Sequence, residues 1–362
     1  MATYPKTRFL TNDEITRKKW SKELFRVVLP EVEYNYLVGT GADSVIQMRT
    51  ELGKGEGDVV KFDIRLPLSQ EGIVGYSTVE GNEERMAFRQ FDMTIDELNL
   101  AVDTGGRMEQ QRMPYNLVSE GKDARKERWG EILSSCAVNC LVGNSSFTVN
   151  GQTFAQACTE PTVGKFVAVN QAYGTAVATA EAALTSADII DLTFLDRMKQ
   201  LAEVPYSDSD FRLRAPMVRG GKKYWWVIMH NYAFDMLRKN TNIGQWGDLA
   251  RSAQKLQVPM AEIEYNGMLI TKSERIPLMR ATGNGGIYRC VLLGAQAATW
   301  AWGGAGESKG TVMNFVPYTK DAKRFLMLRG GGIFGFKKVY FDRSGNRDYG
   351  VITGSGYAEK IQ

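Results

Sequence analysis

Histidine is almost missing from this chain: His230 is the only one in 362 residues. Zinc sites of the His-Glu-x-x-His kind are therefore excluded, and a Ser-His-Asp or Cys-His catalytic set would have to be built on that single residue. His230 follows the strand-like run Tyr224–Met229 and precedes a helical pattern from Asn231 to Arg238. That setting predicts a structural imidazole with its hydrogen bonds satisfied. Cysteine is nearly as scarce. Four residues, at positions 136, 140, 158 and 290, fit reduced thiols of a cytosol-like compartment rather than a disulfide scaffold. No apolar run approaches the ~20 residues of a membrane span, and the first twenty residues lack the apolar core of a signal peptide. Charge of one sign is not in excess either. Forty-five basic and 41 acidic residues leave a net charge of +4, without the basic footprint of a dedicated nucleic-acid reader. Ten prolines stand against 37 glycines, a balance that predicts tight turns and β-structure rather than disorder.

With 43% hydrophobic residues, the chain can bury one large or two medium cores. Its longest helical pattern runs from Met113 to Gly143. Trp129, Ile132, Leu133, Cys136, Ala137, Cys140 and Leu141 recur at three- and four-residue steps and line one face. Lys122, Asp123, Arg125, Lys126, Glu127 and Arg128 crowd the preceding turns. Pro114 fits a first turn, and Gly143-Asn144 is a stop signal. At 1.5 Å per residue such a helix is roughly 35–40 Å long, enough to cross a domain.

Ahead of it, Thr11-Asn12-Asp13-Glu14 is a capping box. The helix it opens carries Ile15, Trp20, Leu24, Phe25 and Val28, with Arg17, Lys18, Lys19, Lys22 and Arg26 on its other positions, and stops at Pro30. That basic side reads either as a solvated face or as a contact for an acidic partner, DNA included. Residues 58–68 alternate, with Val60, Phe62, Ile64, Leu66 and Leu68 facing one way, and residues 87–95 alternate again. They predict two half-buried strands. The stretch between them is too long for a hairpin turn, and such loops tend to be functional. A two-stranded ribbon cannot bury its apolar side alone; it needs the rest of the domain or a neighbouring molecule. Asp103–Gln111 reads as a link to the long helix, and residues 143–180 as an elaborated loop or small insertion. Ser186 or Asp188 is expected to cap a helix that ends at Pro205. Residues 211–302 alternate short strands and helices like a compact α+β unit, and residues 330–353 predict two strands joined by Arg343-Ser344-Gly345-Asn346.

Tempting motifs fail on context. Gly330-Gly331-Gly332-Ile333-Phe334-Gly335 matches G-x-G-x-x-G literally, but a strand pattern follows where a dinucleotide site needs a helix. In Gly303–Thr311 the lysine is followed by glycine, so the magnesium ligand of a phosphate loop is misplaced. Cys136 and Cys140 lie one turn apart without further ligands at metal spacing, and read as small apolar members of a helix face. Glu83-Glu84 and Asp96-Glu97 have no clustered acid–base partner. No reaction class can be assembled, and no cofactor or metal is expected.

A ribbon with a long tip, a spine-like helix, an α+β unit and no catalytic set remain. Their order and wording resemble the major capsid proteins of tailed bacteriophages, and more closely the coat proteins of N-four-like podoviruses. The resemblance is carried by Gly57-Asp58-Val59-Val60-Lys61-Phe62 leading to Leu66-Pro67-Leu68, by Val79-Glu80-Gly81-Asn82-Glu83-Glu84, and by Ile95-Asp96-Glu97-Leu98. It continues with Met108–Arg112 before Pro114-Tyr115-Asn116-Leu117, Tyr265-Asn266-Gly267, Leu293-Gly294-Ala295-Gln296-Ala297, Gly332–Lys338 and Asp348–Ile352. The set is collinear over roughly residues 50–352.

The resemblance implies an α+β Hong Kong 97-type capsid fold. Residues 1–50 would be the N-terminal arm and 51–105 the extended loop, a β-ribbon. Residues 106–210 with 303–362 would form the peripheral domain, its spine helix at about 114–142, and residues 211–302 the axial domain. The implied function is a self-assembling shell of hexamers and pentamers, put together in the host bacterial cytoplasm and located in the virion. Its partners would be a separate scaffolding protein, a portal, possible cement proteins and non-specifically packaged double-stranded DNA. Glu80, Glu83, Glu84 and Arg85 are then candidates for contacts between subunits, and Arg17, Lys18, Lys19 and Lys22 for a DNA-facing arm. Competing readings are a virion decoration or tail protein and a nucleotide-binding enzyme.

Overall fold

The computed structural model describes residues 34–49, 57–66, 68, 72–75, 78, 80, 81, 83–106, 111, 117–155, 157–207, 210–219, 221–239, 261–304, 313–320, 325–342 and 346–360. The basic helix with Arg17, Lys18, Lys19 and Lys22, the first turn around Pro114, the helical pattern at 246–255 and most of the 303–311 loop lie outside the described residues.

The long helix is Leu117–Val142. It packs across the strands Asp96–Gly106 and Phe325–Lys338, and Gly121 lets it sit close to Val102, Thr104 and Leu328. Its apolar side is wider than a single stripe: from Cys136 to Val142 every residue is buried, as expected of a helix end enclosed on all sides. Gly143 ends it with a φ of 74°, the left-handed conformation that favours glycine at this position.

Two sheets surround the helix. One runs in the order Val38–Gly39, Ile46–Arg49, Ala298–Trp302, Phe325–Lys338, Met313–Lys320, with Asp96–Gly106 also paired to Phe325–Lys338. The other has eight strands. Its main path is Phe166–Ala168, Val351–Glu359, Gly285–Leu293, Lys222–His230, Met268–Ser273, Ile263–Tyr265, with Leu278–Thr282 and Met217–Arg219 attached to the side. Strands 222–230 and 285–293 are buried almost throughout and read as near-continuous apolar runs. The turn between 263–265 and 268–273 is Asn266-Gly267, both at positive φ, the pair that a tight hairpin favours. The C-terminal strand 351–359 belongs to this second sheet, whereas 298–302 belongs to the first. A cut at 302/303 therefore does not coincide with a boundary between sheets.

Several local expectations are corrected. Asp103–Gly106 is the end of a strand, not a link, because it finishes the ladder with 325–338. Residues 143–180 are not merely a loop: Phe166–Ala168 pairs in parallel with Thr353–Ser355, and Val177–Ala183 is a helix. The helix expected from Ser186 or Asp188 begins at Leu192, capped by Asp191, whose Oδ1 accepts from the Phe194 amide at 2.8 Å. Asp188 instead closes a turn by accepting from Thr185 N and Oγ1. Tyr340–Asp342 and Asn346–Asp348 pair as two short strands that precede the last strand, and residues 343–345 of the expected turn lie outside the described residues.

Buried charge ties these layers together. Arg289, inside strand 285–293, meets Glu181 in a two-pronged pair, Nε to Oε1 at 2.6 Å and Nη2 to Oε2 at 2.9 Å. Its Nη1 donates to the Val142 and Gly143 carbonyls at 3.3 and 2.8 Å, so a cation closes the negative end of the long helix. Ser355 Oγ donates to the same Glu181. Arg280 on the neighbouring strand donates to the carbonyls of Glu181, Ala182 and Leu184, the end of helix 177–183. A second buried pair, Lys338 with Asp348 at 2.9 Å, fixes segment 157–162 through Thr162 N and the Glu160 carbonyl.

His230 is structural, as its context predicts. It stacks on Tyr288, and its Nδ1 accepts from the Tyr232 amide at 3.1 Å at the start of helix Asn231–Lys239. Burial pushes the imidazole below its ordinary value, against a smaller opposing pull from Glu274. The folded protein holds His230 neutral where the unfolded chain already binds a proton, so stability is complete above the unfolded value of ~6.5 and falls as the pH drops through it. The urea midpoint of the unassembled protein should decline between pH 7.5 and 5.5, and His230→Asn, which keeps a cap acceptor without titrating, should flatten that decline. Equal slopes would contradict the assignment.

Candidate assembly interface

Strands Val59–Arg65 and Phe88–Thr94 form an isolated antiparallel ribbon in the register Val59↔Thr94 to Arg65↔Phe88. Its alternation is the one expected: Val60, Phe91 and Met93 are buried, while Lys61, Asp63, Arg65, Gln90 and Asp92 are exposed. The buried side lies on a small separate core of Phe211, Ala301, Val339 and Phe341. Phe91 meets Tyr340 and Phe341 edge-on, at centroid distances of 5.3 and 6.1 Å.

Two residues fix the ribbon's root. A Cβ at Gly335 would run into the Thr94 carbonyl oxygen, so glycine allows the ribbon to leave the sheet there. Lys337 Nζ donates to the Asp92 carbonyl at 2.8 Å and lies over the rings of Phe91 and Tyr340 at 4.9 and 4.8 Å. Burial lowers its pKa to about 8, with Asp92 pulling the other way. A cleft of about 320 Å³ remains between ribbon and body, lined by Arg49, Lys61, Phe62, Asp63, Gln296 and Tyr349 among others.

Beyond the root, the apolar side chains lose their cover. Phe62, Ile64 and Leu66 are only partly buried. Leu68, Val74, Met86 and Phe88 are exposed, Val74 to 87% and Leu68 to 63%, and at the root itself Val59, paired with Thr94, is also exposed. Exposed apolar groups are ordinary when scattered singly; a concentration on one projecting element marks a contact surface. The four charged candidates, Glu80, Glu83, Glu84 and Arg85, all lie on the tip of the ribbon, with Glu83 accepting from the Gly81 amide at 2.9 Å. Charge alone does not point to the apolar residues beside them; the signal for those is an apolar residue recurring in an otherwise polar loop.

The other candidate motifs have structural roles. Gly330, Gly331 and Gly332 lie within strand 325–338, where Gly330 makes room for the Arg125 side chain and Gly331 for Asn99. Cys136 and Cys140 are both buried, and Cys140 pairs with the thiol of Cys158 rather than with Cys136. Among the described residues no group of three or more His, Cys, Asp or Glu side chains could hold a metal ion.

A family model described as phage capsid protein matches residues 8–359. The major capsid protein of Pseudomonas phage KPP25 is 26% identical over 244 residues, covering 63% of this chain. The chain spans 62% of the length of that curated relative. Among solved structures, the capsid of Ralstonia phage GP4 superposes with a TM-score of 0.74 at 22% identity, covering 90% of both chains. The capsid of cyanophage Pam1 gives 0.70 at 16% identity, covering 90% of this chain and 92% of the other. At these identities the superpositions bear on the fold, which is of the Hong Kong 97 type. The match over residues 8–359, on a chain built around a projecting ribbon and a spine helix, shows that this protein belongs to the phage capsid protein family.

Proposed function

We propose that the chain is the major capsid protein of a tailed double-stranded DNA phage and assembles with copies of itself into an icosahedral head. The observation that carries this reading is the ribbon: a rooted element with five large apolar side chains left open at and beyond its strands. A neighbouring subunit is the cover that fits a contact repeated by symmetry. Near-neutral charge supports it, since like subunits approach without strong repulsion. In this reading residues 1–50 are the arm and 51–105 the extended loop. Residues 106–210 and 303–362 are peripheral and 211–302 axial, with strand 351–359 as the seam between them. Glu80, Glu83, Glu84 and Arg85 contact the next subunit. Scaffolding, portal and cement proteins are the expected partners, assembly takes place in the host cytoplasm, and the role is structural rather than catalytic. Closer kinship with N-four-like coat proteins is supported by the motif set alone.

The test is to express the protein alone and with its candidate scaffold, and to image the high-mass fraction by negative-stain electron microscopy. Closed shells, or hexamers and pentamers, are expected. A clean monomer in both conditions would overturn the reading, and binding only to preformed shells or tails would identify a decoration or tail protein.

The basic arm faces packaged DNA. Replacing Arg17, Lys18, Lys19 and Lys22 with glutamine should leave shells intact and weaken DNA binding by the unassembled protein. The slope of log affinity against log salt should drop by ~0.9 for each phosphate that the arm no longer neutralises. Equal DNA binding and packaging would refute this placement.

A further inference from the structure

The three cysteines nearest the end of the long helix have no part in the proposed interface, and their arrangement is specific. Cys140 Sγ and Cys158 Sγ stand 2.7 Å apart, although the two residues are 18 positions apart in sequence. Cys140 lies on the last turns of helix Leu117–Val142, buried on all sides. Cys158 is itself buried, in an irregular segment whose neighbours Ala157 and Glu160 are exposed, so a reagent reaches it when that segment opens locally. Cys136, one turn earlier, is buried and has no such sulfur contact among the described residues.

We propose that Cys140 and Cys158 are a redox-reactive pair that closes to a disulfide when the protein meets a small-molecule disulfide such as oxidised glutathione. Cys158 is the attacking group. The thiol of Cys140 hydrogen-bonds to its sulfur and the ammonium of Lys338 lies nearby; both hold the Cys158 thiol below its ordinary value against the opposing effect of burial. Cys140 is shifted the other way, first by that same hydrogen bond and then by burial. The thiolate is the nucleophile. Cys158 attacks one sulfur of oxidised glutathione, the S–S bond breaks, and a glutathione thiolate leaves. Cys140 then gives its proton to the released glutathione thiolate and attacks the Cys158 sulfur of the mixed disulfide, expelling the second glutathione as a thiolate that takes a proton from water. Two electrons pass from the protein pair to glutathione, and one glutathione disulfide becomes two thiols. The new bond ties the end of the long helix to segment 157–162, already held by Lys338 and Asp348. Closing such a loop restricts the unfolded chain.

Under the capsid reading, and resting on it, the pair would remain a dithiol in the reducing cytoplasm and close after the particle is released. The chemical step does not depend on that reading, so it is tested on the unassembled full chain. Reduced protein is incubated with oxidised glutathione, denatured, alkylated and digested with trypsin and chymotrypsin. The tryptic peptide Trp129–Lys165 holds Cys136, Cys140 and Cys158, and chymotrypsin separates the last two at Phe147 and Phe154. The expected result is two alkylatable thiols consumed, fragments containing Cys140 and Cys158 linked, and a melting temperature raised by several degrees. Cys136→Ser should still close, whereas Cys158→Ser and Cys140→Ala should not. Four alkylatable thiols after oxidation, a link that includes Cys136, or a bond between chains would overturn the proposal. Fragment-ion sequencing of the linked wild-type peptides, with the alkyl label on Cys136 and the link on Cys140, decides it even if a variant fails to fold.

Discussion

Removal of residues 70–85 should leave a folded, soluble protomer that forms no shells. The ribbon's root lies outside the deletion and is held by its own chain: Phe91 and Met93 sit on the small core, Lys337 pins the Asp92 carbonyl, and Gly335 passes under Thr94. The deletion takes Val74 and the charged tip, and it disrupts the run that presents Leu68, Met86 and Phe88. A contact in a closed shell is repeated in every subunit, so a modest loss per copy becomes a total loss of assembly. The deletion variant should keep the wild-type circular-dichroism spectrum and melting temperature, while mass photometry shows only small species. Shells of normal size and yield would refute the role given to the ribbon.

Arg289→Met should be the most damaging single substitution in the body, costing about 3–5 kcal/mol, the range for breaking a buried ion pair by removing one partner. The methionine fills much of the space but leaves the Glu181 carboxylate without its cation, and the Val142 and Gly143 carbonyls without their donor. Arg289→Lys keeps the charge but loses the fork, and should fall between methionine and wild type. The double variant Arg289→Met with Glu181→Leu should recover much of the loss, because the buried charge is then gone from both sides. Urea midpoints of the unassembled chain measure all three. A loss under about 1 kcal/mol for Arg289→Met, the ceiling for an exposed pair, would show that solvent reaches Glu181 and that the clamp is not buried in solution.

Elements with a strong local period were legible in the sequence. The long helix, both ribbon strands and the buried strand 222–230 all follow from spacing that a few neighbouring residues decide. What was not legible depends on partners far away in the chain. Phe166–Ala168 is three residues long and becomes a strand only because 353–355 lies beside it. Asp191 and Asp188 are equally good caps by type, and tertiary packing decides that Asp191 opens the helix while Asp188 holds a turn. Arg289 stands in the apolar run Tyr288-Arg289-Cys290-Val291-Leu292-Leu293; an arginine there signals a buried pair, but the sequence names no partner. Glycine reads in sequence as a sign of turns, yet Gly330, Gly335 and Gly354 lie inside strands where an arginine, a backbone and a phenylalanine come close. For the candidate site, the charged tip was visible from the sequence, but the exposure of Val74, Met86 and Phe88 became visible only once the fold showed that nothing among the described residues of the same chain covers them.

A cryo-electron-microscopy map of the assembled particles tests the central claim most directly. It should show each ribbon lying on an adjacent subunit, with Leu68, Val74, Met86 and Phe88 buried between the two and Glu80, Glu83, Glu84 and Arg85 facing polar groups of the neighbour. Particles in which the ribbon stands free in solvent, or folds back on its own chain, would contradict it.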